Sequence, residues 1–194
     1  MNNDYSFSPR SQAASAVVGE GSRLSILSGY SPVESGWAID SMQIVGLEDH
    51  GKEHKLTIPG ARGEPYFSRM ASAVTLSTQE VLVTGGRGME HDVFLLKGAD
   101  LQNWVRQKDM QKGRFCHSSA ATTLGNKECV LVAGGWDDKG KPSTSVELFS
   151  VDKNSWEHLD PLPSPRVDFT LQVNCFFLNM QMRRPDSFCL ELCF

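Results

Sequence analysis

An apolar run that ends in a glycine pair occurs twice, as Val81–Thr84 before Gly85-Gly86 and Cys129–Ala133 before Gly134-Gly135. Each is followed by a polar loop, a second run (Val93–Leu96; Ser145–Phe149) and a tryptophan, Trp104 nine positions after Leu95 and Trp156 nine positions after Glu147. A unit recurring at roughly 40–55 residues has the length of a propeller blade. Such a blade is a four-stranded antiparallel sheet that cannot bury both faces alone, so it must stack on its neighbours. The sequence therefore predicts an all-β chain.

This punctuation divides the chain into four segments. Residues 1–59 read as an atypical first blade: Arg10, then small residues at Ala13–Val18, a turn at Gly19–Ser22, and Leu24–Leu27 running into Ser28-Gly29. Ile39–Val45 and Lys52–Ile58 would come next, with no tryptophan near Glu53, and Trp37 is too early to replace it. After a turn signal at Pro59-Gly60, residues 60–113 form the second blade: Arg69, Ala71–Leu76, a turn at Ser77–Glu80, then Asp92–Leu96 and Asn103–Gln107. Residues 114–165 form the third: Arg114, a strand at Phe115–Leu124 and a turn at Gly125–Lys127, closed by Pro161-Leu162-Pro163. Arg166 opens a fourth unit that breaks off after Val173 into a tail rich in Phe, Leu, Met and Cys. The chain reads as an incomplete or open array.

Ala13–Ala16, Ala71–Ala73 and Ser118–Ala121 place small residues at one offset in three units. That offset is the strand nearest the central channel, where radially arranged blades crowd and bulky side chains would overfill the space.

Composition narrows function more than fold. A formal charge of −4 argues against a nucleic-acid surface, which needs a clustered basic excess. No apolar run approaches the ~18 residues of a membrane span, and MNNDYSFSPR has neither part of a signal peptide. These features predict a cytoplasmic protein without membrane attachment. Five cysteines are too few for a disulfide scaffold. With Cys129 opposite about Thr123, Cys116 lies beyond bridging distance, so the thiols are expected reduced.

Gly-Gly after an apolar strand, the VELFSVDKNSW segment and LPSPR at the next junction together resemble kelch repeats, closely over 114–166, fairly over 69–113 and weakly over 10–59. The resemblance implies a kelch-type β-propeller, with glycines allowing close backbone approach and Trp104 and Trp156 packed on an adjoining blade. It also implies a protein-interaction module, as in substrate-recognition parts of cullin-type ubiquitin ligases or actin-associated scaffolds. The cullin-linked members usually carry a BTB domain or F-box ahead of the repeats. Repeat-like sequence here begins by about residue 10, so recognition is the part of that role expected of this chain.

The partner expected is another protein, and binding residues concentrate on loops held by a rigid scaffold. Tyr30–Gly36, Arg87–His91 and Trp136–Pro142 join the second and third strands of each unit and should emerge on one side. Tyr30, Arg87 and Trp136 are the residue types that anchor interfaces, with Asp137 and Asp138 as charge partners. The alternative is a sugar- or metal-using propeller enzyme of the galactose oxidase type, whose metal site uses tyrosine, histidine and a cross-linked cysteine. Tyr5, Tyr30 and Tyr66 all fall outside the better-matched repeats. Cys189 and Cys193 lack a second ligand pair, His50 and His54 flank a glycine, and Glu90-His91-Asp92 alternate faces on a strand. No catalytic residue, metal or cofactor is predicted.

Overall fold

A computed structural model of the chain describes residues 13–18, 23–27, 42–46, 70–98 and 103–173. All regular structure among them is β-strand. The first sheet contains β1 (Ala14–Val18), β2 (Arg23–Leu27) and β3 (Met42–Gly46). The second is β4 (Ser72–Thr75), β5 (Val81–Thr84), β6 (Val93–Lys97) and β7 (Asn103–Arg106), in that order. Between it and the third sheet lies the short β8 (Arg114–Phe115). The third is β9 (Ser118–Leu124), β10 (Lys127–Ala133), β12 (Val146–Ser150) and β13 (Ser155–Leu159), while β11 (Trp136–Asp137) pairs with β8. Each of the three larger sheets is an antiparallel meander that does not close on itself. The chain has the architecture of propeller blades stacked side by side.

Stacking explains why the central strands are continuous apolar runs. Alternate residues of a strand point to opposite faces. Val81, Val83, Phe94 and Leu96 join Ala14, Ala16 and Val18 in a cluster between the first two sheets. Leu82, Val93 and Leu95 point the other way, meeting Val130, Val132 and Phe149 of the third sheet. Leu131, Ala133, Val146 and Leu148 then face outward onto Leu162 and Leu171. A strand buried on both faces has no polar side to alternate with.

The ladders also define which residues are equivalent. Thr84 pairs with Val93 as Ala133 pairs with Val146, so Phe94 corresponds to Glu147 and Leu96 to Phe149. Trp104 lies opposite Leu96 and Trp156 opposite Phe149. The tryptophans are thus true equivalents. The nine-residue count pairs Leu95 with Glu147, one ladder position out of step, because the second sheet's outer connection is one residue longer.

Trp156 packs 4.8 Å from the Phe149 ring in the cluster shared with the second sheet, and its Nε1–H donates to Lys108 O at 2.7 Å. Trp104 meets Phe94 edge-on at 6.0 Å in the cluster shared with the first. Both therefore contact the preceding blade. Because Trp156 is only half-buried, Trp156→Ala is expected to cost roughly 3 kcal/mol, the low end for a large aromatic. A denaturant titration checks this, and a neutral result would remove the indole from the junction.

Three local features differ from the sequence reading. The β9–β10 turn has two residues, Gly125 (φ 51°) and Asn126 (φ 65°), with Leu124 paired to Lys127. Two positive φ values make the turn whose twist suits a hairpin, and this sets Cys129 opposite Thr122 rather than Thr123. The strand expected over Phe115–Leu124 breaks at Cys116, whose φ is 53°. Cys116 and Cys129 are both free thiols. Finally, the small inner-strand residues tie sheets together as well as avoid crowding: Ser72 Oγ lies 2.7 Å from Ser119 Oγ, and Thr75 Oγ1 donates to Val17 O. The expected turn at Gly19–Ser22, the outer strand at Lys52–Ile58, Trp37 and the tail after Val173 lie outside the described residues.

Candidate partner-binding loops

The loops after the two glycine pairs are fixed by the start of the following unit. Gly86 N–H donates to Arg114 O at 3.0 Å, and Gly135 N–H to Arg166 O at 2.7 Å. Added Cβ atoms at Gly85 and Gly134 would lie 2.4 and 2.6 Å from those same carbonyls. Two residues beyond each arginine, the chain turns through positive φ, at Cys116 (53°) and Asp168 (51°), with Met70 (65°) in the equivalent place. A line of backbone bonds joins them, Cys116 N–H to Met70 O at 2.9 Å and Asp168 N–H to Cys116 O at 3.0 Å.

Arg114 is buried at this junction and forms an ion pair with buried Glu147, Nη2 to Oε2 at 2.6 Å. Nη1 donates to Gly134 O and Ser145 O at 3.0 and 3.1 Å, and Nη2 also donates to Ser145 Oγ at 2.9 Å. Glu147 also accepts Gln111 N–H at 2.9 Å and Lys112 N–H at 3.3 Å. Every charge is met, as a buried pair requires. Spacing alone makes Arg114 a punctuation mark and Glu147 a member of an apolar run. A signal of the pair is present in the sequence, in an acid interrupting VELF downstream of an arginine at the repeat boundary.

Above this support the third sheet carries a small ribbon. Trp136 pairs with Phe115 on one side and bridges Pro142 on the other. Residues directly opposite on paired strands share a face, so Phe115, Trp136 and Pro142 form one row. None of the three belongs to a core cluster. Asp137 Oδ1 accepts the N–H groups of Lys139 and Lys141 at 2.9 and 2.7 Å, which holds the hairpin's shape. Asp138, Lys139 and Lys141 are exposed. Arg87 is also exposed and follows Gly86 as Trp136 follows Gly135. The Arg87 and Trp136 loops thus flank Arg114–Phe115 at one end of the two sheets. Tyr30 and its loop lie outside the described residues. Sequence reasoning missed Phe115 and had Pro142 only as the end of the Trp136 loop; the ribbon pairing brings both beside Trp136.

Glu90, His91 and Asp92 have three separate partners. Glu90 Oε1 accepts Gly88 N–H at 2.9 Å, His91 Nδ1–H donates to Met110 O at 2.9 Å, and Asp92 binds Arg106 at 2.6 Å. Among the described residues no group of three or more acidic, His or Cys side chains could hold a metal ion. None of these residues forms a helix long and apolar enough to cross a membrane.

His117 is buried beside the glycine pairs, Nε2 2.9 Å from Thr84 Oγ1. The tautomer that uses most partners has Nε2–H donating to Thr84, whose hydroxyl points to Ser72 O at 3.5 Å. Burial, with Arg114 adding repulsion, pushes this imidazole from 6.5 down to about 3. Between those values the unfolded chain binds a proton that the folded chain refuses. Stability is therefore complete above 6.5 and falls as pH drops below it, by about 1.4 kcal/mol per unit or about 2 kcal/mol at pH 5. Asp92, whose carboxyl burial lifts above 3.8, acts in the opposite sense. Urea titrations of wild type and His117→Asn between pH 7 and 5 isolate the histidine. Equal slopes with pH would contradict the assignment.

The arrangement is a repeat protein of the propeller type, with blades locked by glycine–arginine junctions. Residues 116–163 match the profile of the Kelch motif. Kelch-like protein 24 of Homo sapiens is 35% identical over 85 residues, 44% of this chain and 13% of that protein. An F-box/kelch-repeat protein of Arabidopsis thaliana is 28% identical over 120 residues, 58% of this chain and 27% of its own length. Beta-scruin of Limulus polyphemus is 34% identical over 64 residues, covering 33% and 7% respectively. Residues 116–163 thus carry the likeness to the Kelch motif, and the chain spans about an eighth to a quarter of the lengths of the first two relatives named.

Proposed function

We propose that the chain is a protein-recognition module, a cytoplasmic one, that binds a partner polypeptide through the loops after its glycine pairs. The observation carrying this reading is the row Phe115–Trp136–Pro142, which lies outside the core clusters on a rigid ribbon with exposed Arg87, Lys139 and Lys141 at the same end. Aromatic and arginine side chains on preorganised loops are the usual anchors of interfaces. The F-box in the name of the Arabidopsis relative supports a finer version, in which the module selects substrates for a ubiquitin ligase.

Arg87→Ala and Trp136→Ala test the surface, measured as affinity for a partner recovered by cross-linking to the wild-type chain. Each is expected to weaken binding by about 1–3 kcal/mol while circular dichroism stays unchanged. Unaltered affinity in two folded variants rules these loops out.

A further inference from the structure

We propose that His117 is a proton-sensitive latch shared by the Arg87 and Trp136 loops: charging its ring frees both together and dismantles the face they form. Its regulatory consequence rests on these loops being the contact surface, whereas the latch itself is a property of the chain alone. The imidazole spans the two glycine pairs. An added Cβ at Gly85 would lie 2.9 Å from His117 Cε1, and one at Gly135 would lie 2.7 Å from His117 Cβ. Nε2 is 2.9 Å from the hydroxyl of Thr84, the last residue of β5 before its glycine pair. Phe115, two residues before the histidine, is the ribbon partner of Trp136. One side chain thus touches the backbone on which both loops turn.

A charged ring does not fit this site. Among the described residues Nδ1 is buried without a hydrogen-bond partner, so a proton added there meets no acceptor, and an unpaired buried charge is costly. Arg114 adds repulsion, although Glu147 lies 2.6 Å from its guanidinium. Burial, with Asp168 beside it, pushes the neighbouring Cys116 thiol up to about 12, so it stays neutral. Thr84, Ser72 and Met110 carry no charge. On the Arg87 loop, Glu90, His91 and Asp92 are held by Gly88 N–H, Met110 O and Arg106. The ring reaches water when the glycine pairs draw apart from it, which opens the loop end of the sheets. The turns at Leu76–Glu80 and Leu124–Lys127 lie at the other end of β5 and β10.

Amide hydrogen exchange of the full chain tests the latch, read by NMR at pH 7 and pH 5 as protection factors, which remove the intrinsic pH dependence of exchange. The reporters are Gly86 N–H and Gly135 N–H, bonded to Arg114 O and Arg166 O, and the reference is Gln79 N–H, bonded to Leu76 O in the far turn. An opening that exposes the ring restores the ordinary histidine value of 6.5, against about 3 when closed. Protection at both reporters is therefore expected to fall about 25-fold from pH 7 to pH 5, while Gln79 keeps its own. In His117→Asn both falls should vanish. Equal loss at Gln79 would be a general loss of stability, and loss at one reporter alone would leave the loops independent. Either overturns the latch, as does an undiminished fall in His117→Asn. Should that variant fail to fold, Thr84→Val removes the ring's partner and should lower protection at both reporters by about fivefold at pH 7. A change at Gly86 alone defeats the proposal. These outcomes leave the affinity tests of Arg87 and Trp136 standing, and unaltered affinity there leaves the latch standing.

Discussion

Gly135→Val is expected to abolish folding of the third sheet, costing more than about 4 kcal/mol. Gly135 has a φ of 86°, a region that β-branched residues essentially do not enter. A Cβ there would lie 2.6 Å from Phe115 O and 2.7 Å from His117 Cβ. Neither neighbour can yield. Phe115 is held in the ribbon by Trp136, and His117 is buried against Thr84. The collision therefore falls where three features meet: the glycine pair, the ribbon and the inner strand. A denaturant midpoint shifted by no more than that of a surface substitution would show that the close approach is absent.

Arg114→Met should cost about 3–5 kcal/mol, because it leaves the Glu147 carboxylate buried without its counter-charge. The ladder equivalent of Glu147 in the second sheet is Phe94, so an apolar residue is already compatible with that position. Arg114→Met combined with Glu147→Phe is accordingly expected to be more stable than Arg114→Met alone. Removing both charges ends the desolvation problem, although the bonds from Arg114 to Gly134 O and Ser145 O are lost. Should the double variant prove no better than the single one, the loss comes from those carbonyl bonds rather than from the stranded carboxylate.

The blades were legible because both faces of their central strands are buried. Val81–Thr84 and Cys129–Ala133 show this as unbroken apolar runs, and the glycine pairs mark where the next unit's backbone crosses. Trp104 and Trp156 were recognisable by spacing, although an outer connection one residue longer in the second sheet misaligned the count. The Arg114–Glu147 pair left only a faint trace, the acid that interrupts VELF, since charged residues ordinarily read as solvated and spacing does not connect the two. Cys116 looked like an ordinary strand residue, and its left-handed conformation is imposed by bonds to Met70 and Asp168, which are distant in sequence. The loops were placed at the right offset after each glycine pair. Their internal economy, with Asp137 holding the Trp136 hairpin and Phe115 beside it, depends on pairings across the junction that spacing does not reveal.

The bond from Trp156 to Lys108 gives the chain an intrinsic spectroscopic gauge. An indole N–H donating across the junction of two sheets is slowed in exchange while that bond lasts, so its proton resonance times the breaking of the contact. Trp104, packed at the junction before it, offers a second indole proton resonance for the neighbouring seam. Two tryptophans at equivalent ladder positions thus let the separation of successive blades be followed one seam at a time, without any label.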